Sequence, residues 1–372
     1  MLITNGKIYV DGHFQEGLSV RTANGRITAV GRDLPPDGEA VLDLQGDHLI
    51  PGFVDVHIHA FMGHDTMQGE EAVRAISRDL KKVGVAAFCP TTMSASAEET
   101  RAALRGILAV MQKPEPDGAA VLGAHMEAPF LCPAKAGAQV VSHFAEPAPE
   151  NWKRYVGDSE QAVRTVTLAP ELAGAMKMIE YLTGEGIAVS IGHTAADAET
   201  VHEAAARGAS RTTHTFNAQT PLNHRAPGVP GAALCDERLF CEFIGDGIHL
   251  HPDIVKLIYR CKSAKGAVAI TDAMEAAGMP DGEYALGGQR VFVKDGAARL
   301  ENGTLAGSTL TMKQALLNLI RFGIPAEDAV RMLTQTPAEA IGEKDYGMIA
   351  EGKKAALLRL NQRYELVGTI EG

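Results

Sequence analysis

The stretch FVDVHIHAFMGHDTMQGEEAVRAISRDLKKVGVAAFCPTT, residues 53–92, opens on a short apolar run and closes on another. Between them, EEAVRAISRDLKKVG places its apolar residues three and four apart, the spacing of one helix face, whereas side chains of a strand alternate faces. The stretch therefore reads as strand, helix, strand, and strands joined by a helix run parallel. Working outward, the same alternation continues through AVLGAHME, TVTLAP, AVSIGH, RTTHTFN, CEFIGDG and AVAITDA, which with FVDVHIH and AAFCPTT makes eight apolar runs. AEETRAALRGILAVM, ELAGAMKMIEYLTGEG and DAETVHEAAARG are among the helical segments between them. Eight such units favour a closed (β/α)8 TIM barrel over an open doubly wound sheet. No G-x-G-x-x-G follows a strand, which disfavours dinucleotide binding.

The flanks read differently. KIYV, GLSV and ANGRITAVG near the start are strand formers, with Asn24-Gly25 as a hairpin turn, and AALLRLNQRYELVGTIEG at the end is again strand-like. The expectation is an α/β chain: residues 51–345 form the barrel, while residues 1–50 and 346–372 join in a small β-sandwich. YALGGQRVFVKDGAARLENGTLAG, after the eighth run, reads as an inserted hairpin, followed by the helices STLTMKQALLNLIRFG and PAEDAVRMLTQTPAEAIG.

Composition narrows the function. The 372 residues are 45% hydrophobic and 22% charged, as in an ordinary folded protein, and the net charge of -11 would repel a polyanion, so no nucleic acid is expected as partner. The opening MLITNGKIYVDG lacks a signal-peptide pattern, and no run of eighteen apolar residues occurs, so the expectation is a cytoplasmic protein with no membrane partner. Five cysteines without C-x-x-C spacing argue against a disulfide framework or structural zinc.

On the first strand, His57 and His59 share one face. Alone, a His-x-His pair is more often structural than a ligand pair. At the C-terminal ends of other runs, however, stand Glu127, His193, His214 and Asp272, and in a barrel these ends converge on one mouth. Imidazoles and carboxylates together suit a divalent metal, zinc or iron(II), with a position open to water.

The set resembles the amidohydrolase superfamily, and the words PGFVDVHIHAFMGHDTM, GAHMEAPFL, SIGHTAADAE, THTFNAQTPLNHRAPG, FIGDGIHLHP, AITDAM and LAGSTLTM resemble its N-acetylglucosamine-6-phosphate deacetylase family, in order and over nearly the whole chain. The resemblance implies hydrolysis of a phosphorylated N-acetyl amino sugar to acetate and glucosamine 6-phosphate, in amino-sugar catabolism and cell-wall recycling. The alternatives are N-acetylgalactosamine 6-phosphate or another N-acyl substrate. It implies one or two metals: a tight site at Glu127, His193 and His214, and a second at His57 and His59 with Glu127 bridging. Asp272 becomes the proton shuttle. Arg225, Asn217, Ala218 and His249 match the sugar-phosphate contacts, and Leu305, Ala306 and Gly307 the segment closing over the acetamide. The resemblance also implies a homodimer in which Arg225 reaches the partner's site.

The chain departs from the family pattern at Ala128 for glycine, at Ala60 and Phe61 for two glycines, and at Gln139, beside Ala138, where some members have histidine. Gln139 is expected to hydrogen-bond a sugar hydroxyl or carbonyl without carrying charge.

Overall fold

A computed structural model covers residues 1–372. Eight parallel strands form its centre: β1 (Phe53–Ile58), β2 (Val85–Thr92), β3 (Ala124–Met126), β4 (Val163–Leu168), β5 (Ala188–Ile191), β6 (Arg211–Thr212), β7 (Phe240–Ile244) and β8 (Ala267–Ile270). Each pairs with the next from β1 to β8. Between β8 and β1 there is no ladder. That seam closes just beyond β8, where Asp272 N–H donates to His57 O at 2.8 Å and His59 N–H to Ala273 O at 3.0 Å. Below it, buried Asp55 on β1 accepts the Thr271 hydroxyl at 2.6 Å, which ties the first strand to the last. The result is a TIM barrel with eight helices after its eight strands: α1 (Glu70–Lys82), α2 (Ala97–Gln112), α3 (Pro149–Val156), α4 (Ala175–Gly184), α5 (Ala198–Ala206), α6 (Gly228–Cys235), α7 (Pro252–Gly266) and α8 (Met312–Arg321).

Local sequence explains these boundaries. Ser96 and Glu99 form a reciprocal capping box that starts α2, and the Asp197 and Thr311 side chains cap α5 and α8. In α1 the spacing seen in the sequence buries Val73, Ile76 and Leu80 on one face. The segment 171–186 becomes helical only from Ala175, because Gly174 takes φ 86 and Glu171 is drawn away to the Thr194 hydroxyl and the Ala195 N–H. PAEDAVRMLTQTPAEAIG divides into α9 (Ala326–Leu333) and α10 (Gln335–Ala340), with Pro337 in the first turn of α10, where a missing N–H costs little.

Two sheets pack into a sandwich beside the barrel. One orders Arg26–Arg32, Leu18–Ala23, Leu2–Thr4 and Val41–Asp43; the other orders Leu366–Glu371, Ala356–Leu360, His48–Pro51, Lys7–Val10 and His13–Gln15. Ile3, Ile8, Val20, Ile27, Leu49, Leu357 and Ile370 are buried between them. Asn24 and Gly25 turn the hairpin between Leu18–Ala23 and Arg26–Arg32 at φ 53 and 73. The chain passes from the sandwich strand His48–Pro51 to β1 through Gly52 alone.

The insertion after β8 is a three-stranded meander, Gly282–Leu286, Gln289–Lys294 and Ala297–Arg299, rather than a simple hairpin. Its second turn, Asp295-Gly296, has φ 52 and 75, the left-handed pair that a tight hairpin needs. Leu286, Val291, Val293 and Ala298 pack with Met93, Met274 and Ala306, which fixes the meander over one side of the barrel mouth. No helix is long and apolar enough to cross a membrane.

Candidate metal centre

His57 lies within β1, and His59, Glu127, His193, His214 and Asp272 stand one or two residues past their strands. At His193, His214 and Asp272 the backbone turns left-handed, with φ 46, 28 and 50. These conformations are costly for residues with a Cβ, and they swing the three side chains inward over the barrel. Gly192 makes the close approach possible: a Cβ there would meet Thr213 Cβ at 2.6 Å and Thr167 Cγ2 at 2.8 Å.

Glu127 is the centre of the cage. Its Oε1 lies 3.2 Å from His193 Nε2, 3.1 Å from His214 Nε2 and 3.5 Å from His57 Nε2, while Oε2 lies 3.2 Å from His59 Nε2. Asp272 Oδ1 is 3.2 Å from His59 Nε2 and 3.5 Å from His57 Nε2. His214 and His193 face each other Nε2 to Nε2 at 3.1 Å, and His57 and His59 at 3.4 Å. Two donor groups share Glu127, one with His57 and His59, the other with His193 and His214.

The outer nitrogens fix which ring atoms point inward. His59 Nδ1 is 3.2 Å from Thr91 O and His193 Nδ1 is 2.9 Å from Lys135 O; carbonyls only accept, so Nδ1 carries the proton and a neutral ring offers a bare Nε2. Lone pairs and carboxylate oxygens packed this closely repel unless positive charge lies among them. Without a metal, protons provide it. Burial opposes charge on His59, yet Asp272 and Glu127 outweigh it and raise the imidazole to about 10; against the same opposition, Glu127 and Asp272 raise His214 to about 9. Burial likewise disfavours the Glu127 and Asp272 carboxylates, but the surrounding histidines hold Glu127 well below its usual range and Asp272 down to about 2. A buried imidazole and carboxylate cage with this demand for positive charge fits one or two divalent cations.

A cavity of about 350 Å³ opens above the cage, lined among others by Ala138, Gln139, Asn217, Ala218, His249, Leu305 and Gly307. His249 is oriented by Asp246 Oδ2, 2.7 Å from its Nδ1. Ser308 pins the Leu305–Gly307 segment, its N–H donating to Asp272 O at 2.7 Å. Ala306 does not reach the cavity; it is buried in the meander's core. Gln139 makes contacts that the sequence did not show. Its amide N–H donates to Glu127 Oε2 at 2.7 Å and its oxygen accepts from Ser94 N–H at 2.7 Å, so the side chain holds Glu127 at the edge of the cavity. Arg225 is exposed on the loop after His214 and does not line the cavity of its own chain. Cys132 is buried and its backbone N–H donates to His193 O at 2.9 Å.

Sequence reading missed Arg299, the one lysine or arginine lining the cavity, which the meander carries to the mouth. It also missed the polar floor inside the barrel, Asp55, Arg211 and Glu242, each wholly buried. The signal was present: a charged residue inside an apolar strand, as in FCEFI, is expensive unless paired. A wider depression of about 670 Å³, lined by Gly157, Arg164 and Ile187 among others, lies at the opposite end of the barrel, where enzymes of this fold do not place their chemistry.

The barrel and its two-part donor set, which could hold a metal, suit a hydrolase, and the amidohydrolase family model matches residues 48–368, so the chain belongs to the amidohydrolase family. It is 37% identical over 358 residues to the N-acetylglucosamine-6-phosphate deacetylase of Lysinibacillus sphaericus, covering 96% of this chain and 92% of that one. It is 34% identical over 345 residues to the N-acetylgalactosamine-6-phosphate deacetylase of Escherichia coli O157:H7, covering 92% and 90%. The crystal structure of N-acetylglucosamine-6-phosphate deacetylase from Pasteurella multocida superposes with a TM-score of 0.93 at 28% identity, over 100% of this chain and 97% of that one.

Proposed function

We propose that this chain removes the acetyl group of N-acetylglucosamine 6-phosphate, releasing acetate and glucosamine 6-phosphate. The observation that carries the reading is the convergence of His57, His59, Glu127, His193, His214 and Asp272 within 3.1–3.5 Å contacts beneath a sugar-sized cavity. Similarity to deacetylases over nearly the full chain supports it.

In this reading Glu127, His193 and His214 hold one divalent metal, zinc or iron(II), and His57 and His59 hold a second with Glu127 shared. When bound, the metal supplies Lewis acidity, lowering the pKa of a nearby water and polarising an acyl oxygen. Asp272, kept ionised by its histidine neighbours, takes a proton from the attacking water. The water oxygen bonds to the acetamide carbon; as the C–N bond breaks, Asp272 passes the proton to nitrogen, since an amine leaves far more readily than an amide anion. His249, Asn217 and Ala218 hold the sugar, and Leu305 and Gly307 cover the acetyl group. The protein acts as a cytoplasmic homodimer, with the exposed Arg225 reaching the phosphate in the partner's site, where its planar fork suits the anion.

Acetate release after reconstitution with zinc or iron(II) tests the reaction. Turnover of N-acetylglucosamine 6-phosphate well above that of unphosphorylated N-acetylglucosamine is expected, and no acetate from any phosphorylated N-acetylhexosamine would sink the reading. The relative from E. coli O157:H7 makes N-acetylgalactosamine 6-phosphate the second substrate to assay.

A further inference from the structure

The barrel floor carries a carboxylate without a role in the reaction above. Glu242 is the charged residue of β7, wholly buried, and burying a carboxylate costs several kcal/mol unless it is paired. Its Oε2 lies 3.3 Å from His57 Nδ1 and accepts the His214 backbone N–H at 3.4 Å. Its Oε1 lies 3.1 Å from Nη1 of Arg211, itself wholly buried, yet neither atom is aligned for a hydrogen bond. Arg211 thus balances the charge, while the directed contacts of Glu242 go to two histidines of the metal cage. The four histidines are backed unequally. His59 and His193 rest on backbone carbonyls, and His214 Nδ1 has no partner. His57 alone rests on a carboxylate.

We infer that Glu242 is a positioning residue that fixes the tautomer of His57 and strengthens its Nε2 as a donor, so that metal held by His57 and His59 depends on it. A carboxylate accepting from the outer nitrogen of a ligating imidazole raises its basicity, and removing such a partner typically lowers metal affinity about 10–100-fold. The inference rests on the two-site reading of the cage.

The test is zinc titration of metal-stripped protein against a chromophoric chelator. Glu242→Gln keeps the shape and removes the charge, and Glu242→Gln/Arg211→Met removes both charges, so that the first variant's unpaired guanidinium cannot by itself unfold the protein. Both variants should weaken one of two zinc sites about 10–100-fold and leave the other intact. On a His57→Ala background Glu242→Gln should change nothing further, a coupling that a merely structural residue would not show. Unchanged affinities in the paired variant, equal loss at both sites, or an additive effect on the His57→Ala background each overturn the inference. Wild-type protein that deacetylates the sugar phosphate with one zinc bound overturns it too, leaving the proposed reaction standing. Two bound zincs without any deacetylation count against the reaction instead.

Discussion

Asp272 combines two structural demands in one residue. Its backbone N–H helps close the barrel seam and its carboxylate meets His57 and His59, so its left-handed backbone is held from both sides. Asp272→Asn keeps the shape and the backbone bond but cannot accept a proton. Turnover should fall by about 10²–10⁴, the usual contribution of general acid-base catalysis, with zinc content and fold retained. A near wild-type kcat would assign the proton transfer elsewhere. The roles of the inward-facing residues were legible in sequence to different degrees. His57, His59, Glu127, His193, His214 and Asp272 stand out because strand ends are where polar residues need explaining. The Gln139 contacts were not legible because a loop residue's partners lie far away in sequence, here Glu127 and Ser94. Arg299 was missed because nothing local shows that the meander folds back to the mouth.

At the scale of the element, the strand and helix pattern made the barrel readable because parallel strands covered by helices leave repeating apolar runs. The charge inside FCEFI marked Glu242 as needing a partner but not which one, since Glu242 and Arg211 lie on neighbouring strands and pair only once the barrel is built. Strand ends are also where small changes matter most. In Gly192→Ala the new methyl would press on Thr213 and Thr167, which bond to each other at 2.8 Å across the floor. Such overpacking costs about 1–3 kcal/mol. Chemical denaturation should show that loss, and because His193 follows directly, zinc affinity of the Glu127, His193 and His214 group should fall with it. Stability lost without any change in zinc affinity would show that β5 can shift without moving its histidine. In the meander, Leu286→Ala removes a side chain that is 2% exposed and joins the cavity lining to the core beneath. A loss of about 2–4 kcal/mol is expected for emptying such a position, together with a raised KM.

For the whole molecule, metal removal and subunit exchange are the informative experiments. A cation bound only by the folded cage stabilises it by mass action, so chelation should lower Tm and readdition of zinc should restore it. An unchanged Tm on verified metal loss would argue that protons serve the cage equally well. Quaternary structure bears on Arg225, because under the proposed reaction a chain of net charge -11 binds a phosphate dianion, while this exposed guanidinium does not line its own cavity. Arg225→Ala should weaken binding of the phosphorylated sugar by about 1.5–3 kcal/mol, the scale of a charged hydrogen bond, and barely alter activity on the unphosphorylated one. Mixing Asp272→Asn with Arg225→Ala subunits should then recover activity at low substrate, because one site of each mixed dimer keeps both residues. No recovery on verified exchange would place Arg225 in its own chain's site.

The sandwich that unites the two ends of the chain also sets a schedule for its making. The strand His48–Pro51 pairs with Ala356–Leu360, about 300 residues later. At about 5–20 residues per second, a ribosome takes on the order of tens of seconds to deliver that partner. Throughout that interval the apolar edge of Leu49 and Ile50 is unpaired, although the barrel strand one residue beyond is already emerging. A strand made about 300 residues later therefore seals this edge, and a nascent chain stalled before Ala356 would carry a nearly finished barrel with a sticky, unsatisfied edge, the form most in need of a chaperone.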